Sequence, residues 1–361
     1  MSDELLIGLR SNTARAGVDA VLVNFYSGSM DILHASFTPY PPAIRQTLEQ
    51  LTKPDRHPDG GVTTLLDDNL GRFYARAAQN LVREAGLEMR DVTAIGVHGP
   101  SARQDPDGDT VHLGNPVLLA RGTKTTVVAG FKAGVRGAAL APLLHRHLFY
   151  CSTESRAVVA LGATARLTLL PISGEVSAFV CGPGTCLMDG WTRRHLHKES
   201  DIKGNWASKG VVDAGLLQKL LNDDYFSIGV RTRTGPGYFT MDWLDKHLQG
   251  SGLPPGTVQT TLAELTAASI ANGINTDTMP KRLLVCGPGV NNDYLRRRIA
   301  AALPDTTVEP TTRHGADPDW MDGLLFAWLA RQRLAQKPQD TRTVGGAAQP
   351  ELPGEIFEPP G

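Results

Sequence analysis

Three apolar runs that read as buried β-strands each end in a turn of glycine and proline, and this pattern constrains the fold most. In an α/β sheet, ligands bind at the carboxyl ends of the strands. Glycine there lets the main chain approach a flat or anionic ligand closely. The pattern therefore predicts an α/β fold with binding loops at the sheet edges. The runs with their turns are Val92–Val97 with His98-Gly99-Pro100, Val176–Val180 with Gly182-Pro183-Gly184, and Arg282–Cys286 with Gly287-Pro288-Gly289.

The two halves of the chain follow the same plan. In the first half, the apolar runs of Leu5–Asn24 predict a β-hairpin, and Leu65–Glu84 has the apolar spacing of a helix. In the second half, the runs within Ala157–Leu170 predict another hairpin, and Thr260–Asn272 predicts a helix. Because 361 residues is long for one domain, we expect two lobes.

The charge balance and the cysteines exclude several classes of protein. The chain has 36 basic and 37 acidic side chains, for a formal net charge of -1. Nucleic acids and anionic membranes bind basic faces, so neither is an expected partner. The N-terminus is acidic, and no apolar run reaches the roughly 18 residues of a spanning helix, which predicts a cytoplasmic protein. Four cysteines without CxxC spacing predict no disulfide framework and no zinc site.

Six further segments are recognisable by their order and spacing. They are Ile7–Val21, Ala178–Trp191, Gly204–Gly210, Leu283–Asn292, Gly315–Trp328 and Gly354–Pro359. Together they resemble one family, the anhydro-N-acetylmuramic acid kinases, which are sugar kinases of the actin and hexokinase superfamily. The resemblance covers nearly the whole chain, although individual motifs are altered.

The resemblance implies a two-lobed, actin/hexokinase-like (ribonuclease H-like) duplicated α/β fold. ATP and an anhydro sugar would meet in an interlobe cleft. The N-terminal lobe would hold residues 1–128 with a returning tail of 336–361, and the C-terminal lobe residues 129–335. Family members open the 1,6-anhydro ring of their sugar with water and phosphorylate its 6-oxygen.

The resemblance also implies a homodimer and an ordered tail. Apolar residues of the second lobe would supply the dimer surface, or would instead pack inside that lobe, namely Leu216, Leu217, Leu220, Leu221, Trp243 and Leu244. In the tail, Leu352, Ile356 and Phe357 would be the apolar anchors on the first lobe.

The first phosphate loop of the family is only partly present. Phosphoryl transfer depends mainly on positioning and charge neutralisation around the phosphates. The family loop reads S-G-T-S-x-D-G, and the corresponding stretch is Ser11-Asn12-Thr13-Ala14-Arg15-Ala16-Gly17. Ser11 and Thr13 remain, whereas Ala16 replaces the carboxylate. Asp19 follows closely and is a candidate replacement.

The base position of the family is altered as well. The family segment reads F-D-T-G-P-G-N, and Val180 stands here at the position of the aspartate that acts as base. Valine cannot accept a proton, and a general base typically contributes about 100- to 10,000-fold to the rate. Cys181 and Cys186 flank the position, and a thiolate at the start of a helix can be nucleophilic. Buried structural cysteine is the alternative interpretation.

The resemblance assigns residues of this chain to two sites. The expected nucleotide-binding residues are Ser11, Thr13, Gly162, Gly287, Gly289 and Asn291. The expected residues of the substrate cleft are His98, Arg103, Cys181, Gly182 and Gly184. A small molecule in the interlobe cleft is the expected partner, and no metal ligands are predicted. ATP and magnesium are implied by the family, with weak or absent binding expected because of the lost contacts.

Three functions are compatible with these changes. The first, favoured by the missing base, is a pseudokinase or a repurposed small-molecule-binding protein or enzyme, for example in a specialised biosynthetic pathway. The second is an active ATP-dependent anhydro-sugar kinase in cell-wall amino-sugar recycling that uses another carboxylate. The candidates for that carboxylate are Asp19, Asp189, Asp201 and Asp213. The third is a hydrolase or lyase that uses His98, Arg103 and a cysteine of the same cleft.

Overall fold

The computed structural model describes most of the chain, in two units. The described residues are 4–12, 16–26, 29–51, 60–104, 110–131, 140–227, 237–274, 279–340 and 350–360. The first unit is Met1–Leu144 with Trp320–Gly361, and the second is His145–Asp319. The larger sheets belong one to each unit.

Groups of strands and groups of helices follow one another along the chain. The elements up to residue 149 are β1 Glu4–Asn12, β2 Gly17–Tyr26, β3 Ser29–Pro39, α1 Pro42–Leu51, α2 Gly60–Glu84, β4 Val92–His98, β5 Ser101–Gln104, β6 Thr110–His112, α3 Pro116–Thr123, β7 Thr126–Ala129 and α4 Ala141–Phe149. The remaining elements are β8 Arg156–Leu161, β9 Thr164–Leu170, β10 Ser177–Pro183, α5 Cys186–Leu196, α6 Ala214–Leu221, α7 Asp224–Ser227, α8 Met241–Leu248, α9 Pro255–Gly273, β11 Arg282–Cys286, α10 Asp293–Ala302, β12 Thr307–Pro310, α11 Met321–Leu334 and β13 Glu355–Phe357.

The sheet of the first unit has the strand order β13-β7-β4-β1-β2-β3. β1, β2 and β3 form an antiparallel meander, and β1, β4 and β7 run parallel. Because β1 and β4 are parallel neighbours, with Arg10 paired to His98, their carboxyl ends lie at the same sheet edge. This is the edge at which the sequence predicts a binding loop.

The sheet of the first unit is buried on both faces. α2 packs on one face, and the apolar residues predicted for its inner side are buried, including Leu70 and Phe73. α11 packs on the other face against β1, β2 and β4. Glycines allow this close packing, because a Cβ added at Gly8 or Gly96 would overlap the main chain of α11.

The unit boundaries differ from the expected ones. The sequence places the division after residue 128 and again after residue 335, whereas the chain divides after Leu144 and after Asp319. The second difference arises because α11 contacts the sheet of the first unit, so that this helix belongs to the first unit.

The end of the chain returns to the first unit through main-chain pairing. β13 pairs antiparallel with β7, and the Arg333 guanidinium donates a hydrogen bond to the Gly354 carbonyl at 2.9 Å. Of the three expected apolar anchors, Phe357 packs against the core on the α2 side of this sheet. Leu352 and Ile356 are 37% and 38% exposed, so the expectation that all three act as anchors is wrong.

The second unit repeats the strand plan of the first. Its order is β10-β9-β8-β11-β12, with an antiparallel meander of β8, β9 and β10 and parallel pairing of β8, β11 and β12. The corresponding strands of the first unit are β3-β2-β1-β4-β7. This repetition is the duplicated α/β fold that the sequence predicts.

The core of the second unit includes residues that had suggested a dimer surface. Leu216, Leu220 and Leu244 are buried, and Leu217, Leu221 and Trp243 pack against the same core. Amphipathic helices packed inside the unit therefore explain these apolar side chains, and a homodimer remains a prediction. Among the helices within the described residues, none combines the length and apolar character needed to cross a membrane.

Candidate functional site

At the sheet edge of the first unit, Ser11 is held by a buried pair of tyrosines. Ser11 is 7% exposed at the end of β1. The Tyr40 hydroxyl donates a hydrogen bond to Ser11 Oγ at 2.7 Å, and the Tyr40 and Tyr74 hydroxyls lie 3.3 Å apart. The tyrosines therefore fix the orientation of the Ser11 side chain. Thr13 lies outside the described residues.

His98 lies at the same edge, at the end of β4. Its ring stacks on Phe326 with the ring centroids 4.5 Å apart, and the His112 ring is 4.0 Å away. Burial, followed by the charges of His112 and Arg10, lowers the pKa of His98 to about 3. His98 is therefore a neutral imidazole at physiological pH, which can donate a hydrogen bond to a ligand hydroxyl or accept one from it. The main chain of Arg103 lies on β5, and its side chain is outside the described part of the chain.

Asp19 is a buried carboxylate of the same unit. It lies on β2, opposite Arg10 in the pairing with β1, and is 4% exposed. Arg10 itself forms an ion pair with Asp322 at 2.7 Å. Asp19 and Val180 belong to different units.

In the second unit, the predicted glycine turns come together. The turn between β8 and β9 contacts the turn that follows β10, where Thr185 N–H donates to the Gly162 carbonyl at 2.8 Å. Gly184 N–H and Cys186 N–H both donate to the Ala163 carbonyl, at 2.9 and 3.2 Å. The amides of Gly184, Thr185 and Cys186, which lead into α5, are therefore already hydrogen-bonded within the protein.

The turn after β11 packs against the end of β8, where the β8–β9 turn begins. Gly287 has a φ of 80°, a conformation that glycine adopts readily, and an added Cβ at Gly289 would clash with Leu161. The exposed side-chain amide of Asn291 donates a hydrogen bond to the Asp319 carboxylate at 3.3 Å. Gly162 differs from these glycines, because an added Cβ there would meet only the Thr164 carbonyl at 3.9 Å. The open side of Gly162 is where a ligand has room to approach.

The cysteines next to the base position are not activated nucleophiles. Val180 is half-buried on β10. Burial raises the pKa of Cys181 to about 12 and that of Cys186 to about 11. The Cys181 thiol donates to the Ala165 carbonyl at 3.3 Å. The nucleophilic-thiolate interpretation is therefore wrong, and the hydrolase or lyase alternative loses its expected nucleophile.

Of the predicted carboxylates in the second unit, two have main-chain roles. Asp201 accepts hydrogen bonds from Trp206 N–H and Ala207 N–H, both at 2.8 Å. Asp213 caps α6 by accepting from Leu216 N–H at 2.7 Å. These hydrogen bonds hold the neighbouring main chain in place. Carboxylates that already accept such bonds are poorly suited to proton transfer.

Asp189 has different surroundings from these two. Asp189 lies in the first turn of α5, which follows the Gly182–Thr185 turn. Its main-chain N–H donates a hydrogen bond to the Thr185 carbonyl at 2.8 Å. Burial raises the pKa of Asp189 to about 6, although a hydrogen bond with the Thr185 side chain opposes the shift. A carboxylate with this pKa can take up and release a proton near neutral pH.

The sequence reasoning missed a polar group beside the base position. The Tyr225 hydroxyl donates to the Val180 carbonyl at 3.0 Å, and Asp223 accepts from Tyr225 N–H at 3.0 Å. Tyr225 and Val180 are 45 positions apart in the chain, so the sequence gives no signal for this contact. Among the described residues, no group of three or more His, Cys, Asp or Glu side chains could hold a metal ion.

Comparisons with known proteins identify the family. The family model described as anhydro-N-acetylmuramic acid kinase matches residues 4–359. A curated anhydro-N-acetylmuramic acid kinase of Cupriavidus pinatubonensis is 39% identical over 368 residues, covering 97% of this chain and 97% of that protein. One of Xanthomonas oryzae is 37% identical over 365 residues, covering 98% of this chain and 97% of that protein.

Solved structures are similar at a greater distance. A ROK family glucokinase from Streptomyces griseus, in complex with glucose and AMPPNP, aligns with a TM-score of 0.43 and 16% identity, covering 91% of this chain and 99% of that one. The family assignment rests on the sequence matches, which run along the whole chain and exceed 30% identity. This chain belongs to the anhydro-N-acetylmuramic acid kinase family.

Proposed function

We propose that this chain is an ATP-dependent kinase of a 1,6-anhydro amino sugar, in which Asp189 acts as the base in place of position 180. The support for a kinase is the match to kinases over nearly the full length of both chains. Relatives of this similarity favour an active enzyme over the pseudokinase that the altered motifs first suggested.

The observation that carries the proposal is the pKa of Asp189, raised to about 6 mainly by burial. Above pH 6 the carboxylate is mostly ionised and can accept the proton of the attacking water. The water oxygen would bond to C1 as the C1–O6 bond breaks, and O6 would take the phosphoryl group of ATP with release of ADP. Its pKa is close enough to neutrality for efficient general base catalysis. Its place behind the Gly182–Thr185 turn keeps it in the segment that carries the base in the family.

Other residues of the chain would bind and orient the reactants. The open side of Gly162 leaves room for phosphate oxygens beside the β8–β9 turn, and neutral His98 would bind a sugar hydroxyl. ATP would supply the phosphoryl group. Because Mg²⁺ is usually bound by one or two carboxylates and the substrate phosphates, it would arrive with the nucleotide, without a site built from protein alone.

A second function, binding without phosphoryl transfer, is favoured by one specific observation. The Gly184, Thr185 and Cys186 amides donate to main-chain carbonyls of the β8–β9 turn. A phosphate bound by these three amides would have to displace those bonds. In that case the chain would bind the sugar or nucleotide and leave both unchanged.

Substitution of Asp189 tests the proposal. We expect Asp189→Asn to lower the rate of phosphoryl transfer about 100- to 10,000-fold, the usual contribution of a general base, while sugar binding by calorimetry stays within about twofold. The fold should be preserved, since the substitution removes a carboxylate whose ionised form burial disfavours. In the wild type, the rate should rise with pH through about pH 6.

Asp242→Asn is the matched control. Asp242 is also in the first turn of a helix of the same unit, but it is exposed. We expect this variant to keep the wild-type rate. Unchanged activity of Asp189→Asn would refute Asp189 as the base, and binding of the sugar with no transfer by the wild type would favour the second function.

A further inference from the structure

We propose that Asp223 and Tyr225 are positioning residues that fix the main chain at Val180–Gly182, the segment in which the family carries its base. The inference rests on the proposed function, because that function gives the segment its role in the reaction. The contacts that support it lie within the second unit, and they hold the segment from one side.

Asp223 is the centre of a group of hydrogen bonds from aromatic side chains. Its carboxylate accepts from the Tyr238 hydroxyl at 2.7 Å and from Trp243 Nε1 at 3.0 Å. Its Oδ1 also accepts from Tyr225 N–H at 3.0 Å, and His247 Nε2 is 3.6 Å from Oδ2. The Asp223 side chain is only 13% exposed. A carboxylate with this many donors is held in one orientation, and it orients its donors in return.

Tyr225 connects this group to β10. The Tyr225 hydroxyl donates to the Val180 carbonyl at 3.0 Å, and its ring lies 5.1 Å from Tyr238 and 4.7 Å from Phe239. The backbone bond to Asp223 and the packing of the ring leave the hydroxyl little freedom. Tyr225 therefore reaches Val180 from a fixed position.

The segment that Tyr225 holds is an irregular part of β10. The pairing with β9 shifts between Val180, opposite Arg166, and Gly182, opposite Ala165. Bulges of this kind interrupt the regular ladder and redirect the side chains that follow. A hydrogen bond from outside the sheet at this point fixes the direction in which the chain enters the Gly182–Thr185 turn.

Phe226 and α9 contact the part of the chain that follows the bulge. A Cβ added at Gly182 would overlap Ser269 and would lie 3.4 Å from the Phe226 ring. Thr266 on α9 donates to the Gly184 carbonyl at 2.9 Å. The main chain from 180 to 184 is therefore in contact with α7 and α9, and Asp223 sets the position of α7.

Tyr225→Phe removes the hydrogen bond and keeps the ring, so it tests the inference directly. Loss of one such bond should speed amide hydrogen exchange of residues 180–186 about fivefold, with the melting temperature changed by no more than in the control. Tyr150→Phe is the control, because it removes a bond of the same kind in the same unit, from the Tyr150 hydroxyl to the Ile172 carbonyl at 2.9 Å. Asp223→Asn should also speed exchange at 180–186.

A kinetic measurement separates positioning from a purely structural role. In an active enzyme, Tyr225→Phe should lower kcat several-fold with KM nearly unchanged, since the lost bond fixes the chain that leads into the Gly182–Thr185 turn, to which the proposed base Asp189 is bonded. If the wild type shows no phosphoryl transfer, the proposed function fails, and the exchange measurement still decides on the positioning. Equal exchange at 180–186 in Tyr225→Phe and Tyr150→Phe, or faster exchange throughout the second unit, would overturn the inference.

Discussion

Glu309 is a single side chain whose ionisation stabilises the second unit. It accepts hydrogen bonds from His314 at 2.9 Å and from Arg282 at 3.0 Å, which joins β12 to β11. The hydrogen bond from His314, followed by the contribution of Arg282, lowers the pKa of Glu309 against the opposing effect of burial. The folded-state pKa is therefore below the unfolded one. The stabilisation is complete above the unfolded pKa of about 4.3 and is lost as the pH falls through the folded pKa.

This linkage predicts the effect of Glu309→Gln. We expect the free energy of unfolding at pH 7 to fall by about 1.5 to 3 kcal/mol, because charge-assisted hydrogen bonds are lost. The difference from the wild type should shrink as the pH falls below about 4.3 and be smallest below the folded pKa of Glu309, where its carboxyl is protonated. Urea unfolding at the two pH values measures this. Glu199→Gln, which removes an exposed ion pair with Arg193, is the control and should change little. Equal stability of Glu309→Gln and wild type at pH 7 would contradict the prediction.

At the same scale, the sequence predicts which residues occupy the site but not their chemical state. That Val180 cannot be a base follows from the side chain alone. The reactivity of Cys181 does not, because its high pKa comes from burial that only the packed fold creates. The pKa of Asp189 is likewise raised mainly by burial, which only the packed fold creates.

Among the secondary-structure elements, α11 is positioned by a glycine of β1. An added Cβ at Gly8 would overlap the Gly323 carbonyl and approach the Ala327 nitrogen. We expect Gly8→Ala to destabilise the protein by about 1 to 3 kcal/mol through overpacking. Gly60→Ala is the control, since no atom of the described residues lies within 4 Å of a Cβ added there. Denaturant unfolding with equal midpoints for the two variants would show that α11 can shift without cost.

β13 gives a second test at this scale, through two adjacent apolar residues. Phe357 packs against the core of the first unit, whereas Ile356 is 38% exposed. We expect Phe357→Ala to cost about 1 to 3 kcal/mol of stability and Ile356→Ala to cost much less. Thermal unfolding compares the two. If both substitutions cost equally little, main-chain pairing with β7 would be enough to retain the tail.

These elements also show why part of the fold could be predicted. The helix predicted for Leu65–Glu84 is found because its apolar residues repeat with helical spacing, and α2 adds only its first turn from Gly60. The unit to which α11 belongs could not be predicted from apolar spacing in the same way. Its inner and outer faces are both apolar, so the sequence does not indicate which sheet it covers.

For the whole molecule, the duplicated strand plan is the feature that both the sequence and the structure express. It is predictable because each half repeats a hairpin and then a buried strand that ends in a glycine turn. The assignment of the second unit's leucines to a dimer surface was not reliable, because an amphipathic helix has the same pattern whether it packs inside its own unit or against a second copy.

The central claim is that the chain transfers a phosphoryl group, and product analysis tests it most directly. The wild-type protein would be incubated with MgATP and 1,6-anhydro-N-acetylmuramic acid, and the sugar analysed by mass spectrometry. The account predicts a product that has gained both water and a phosphoryl group, formed more slowly below pH 6 and lost in Asp189→Asn. An unchanged sugar, with binding still measurable by calorimetry, would contradict the claim and leave a binding protein built on a kinase fold.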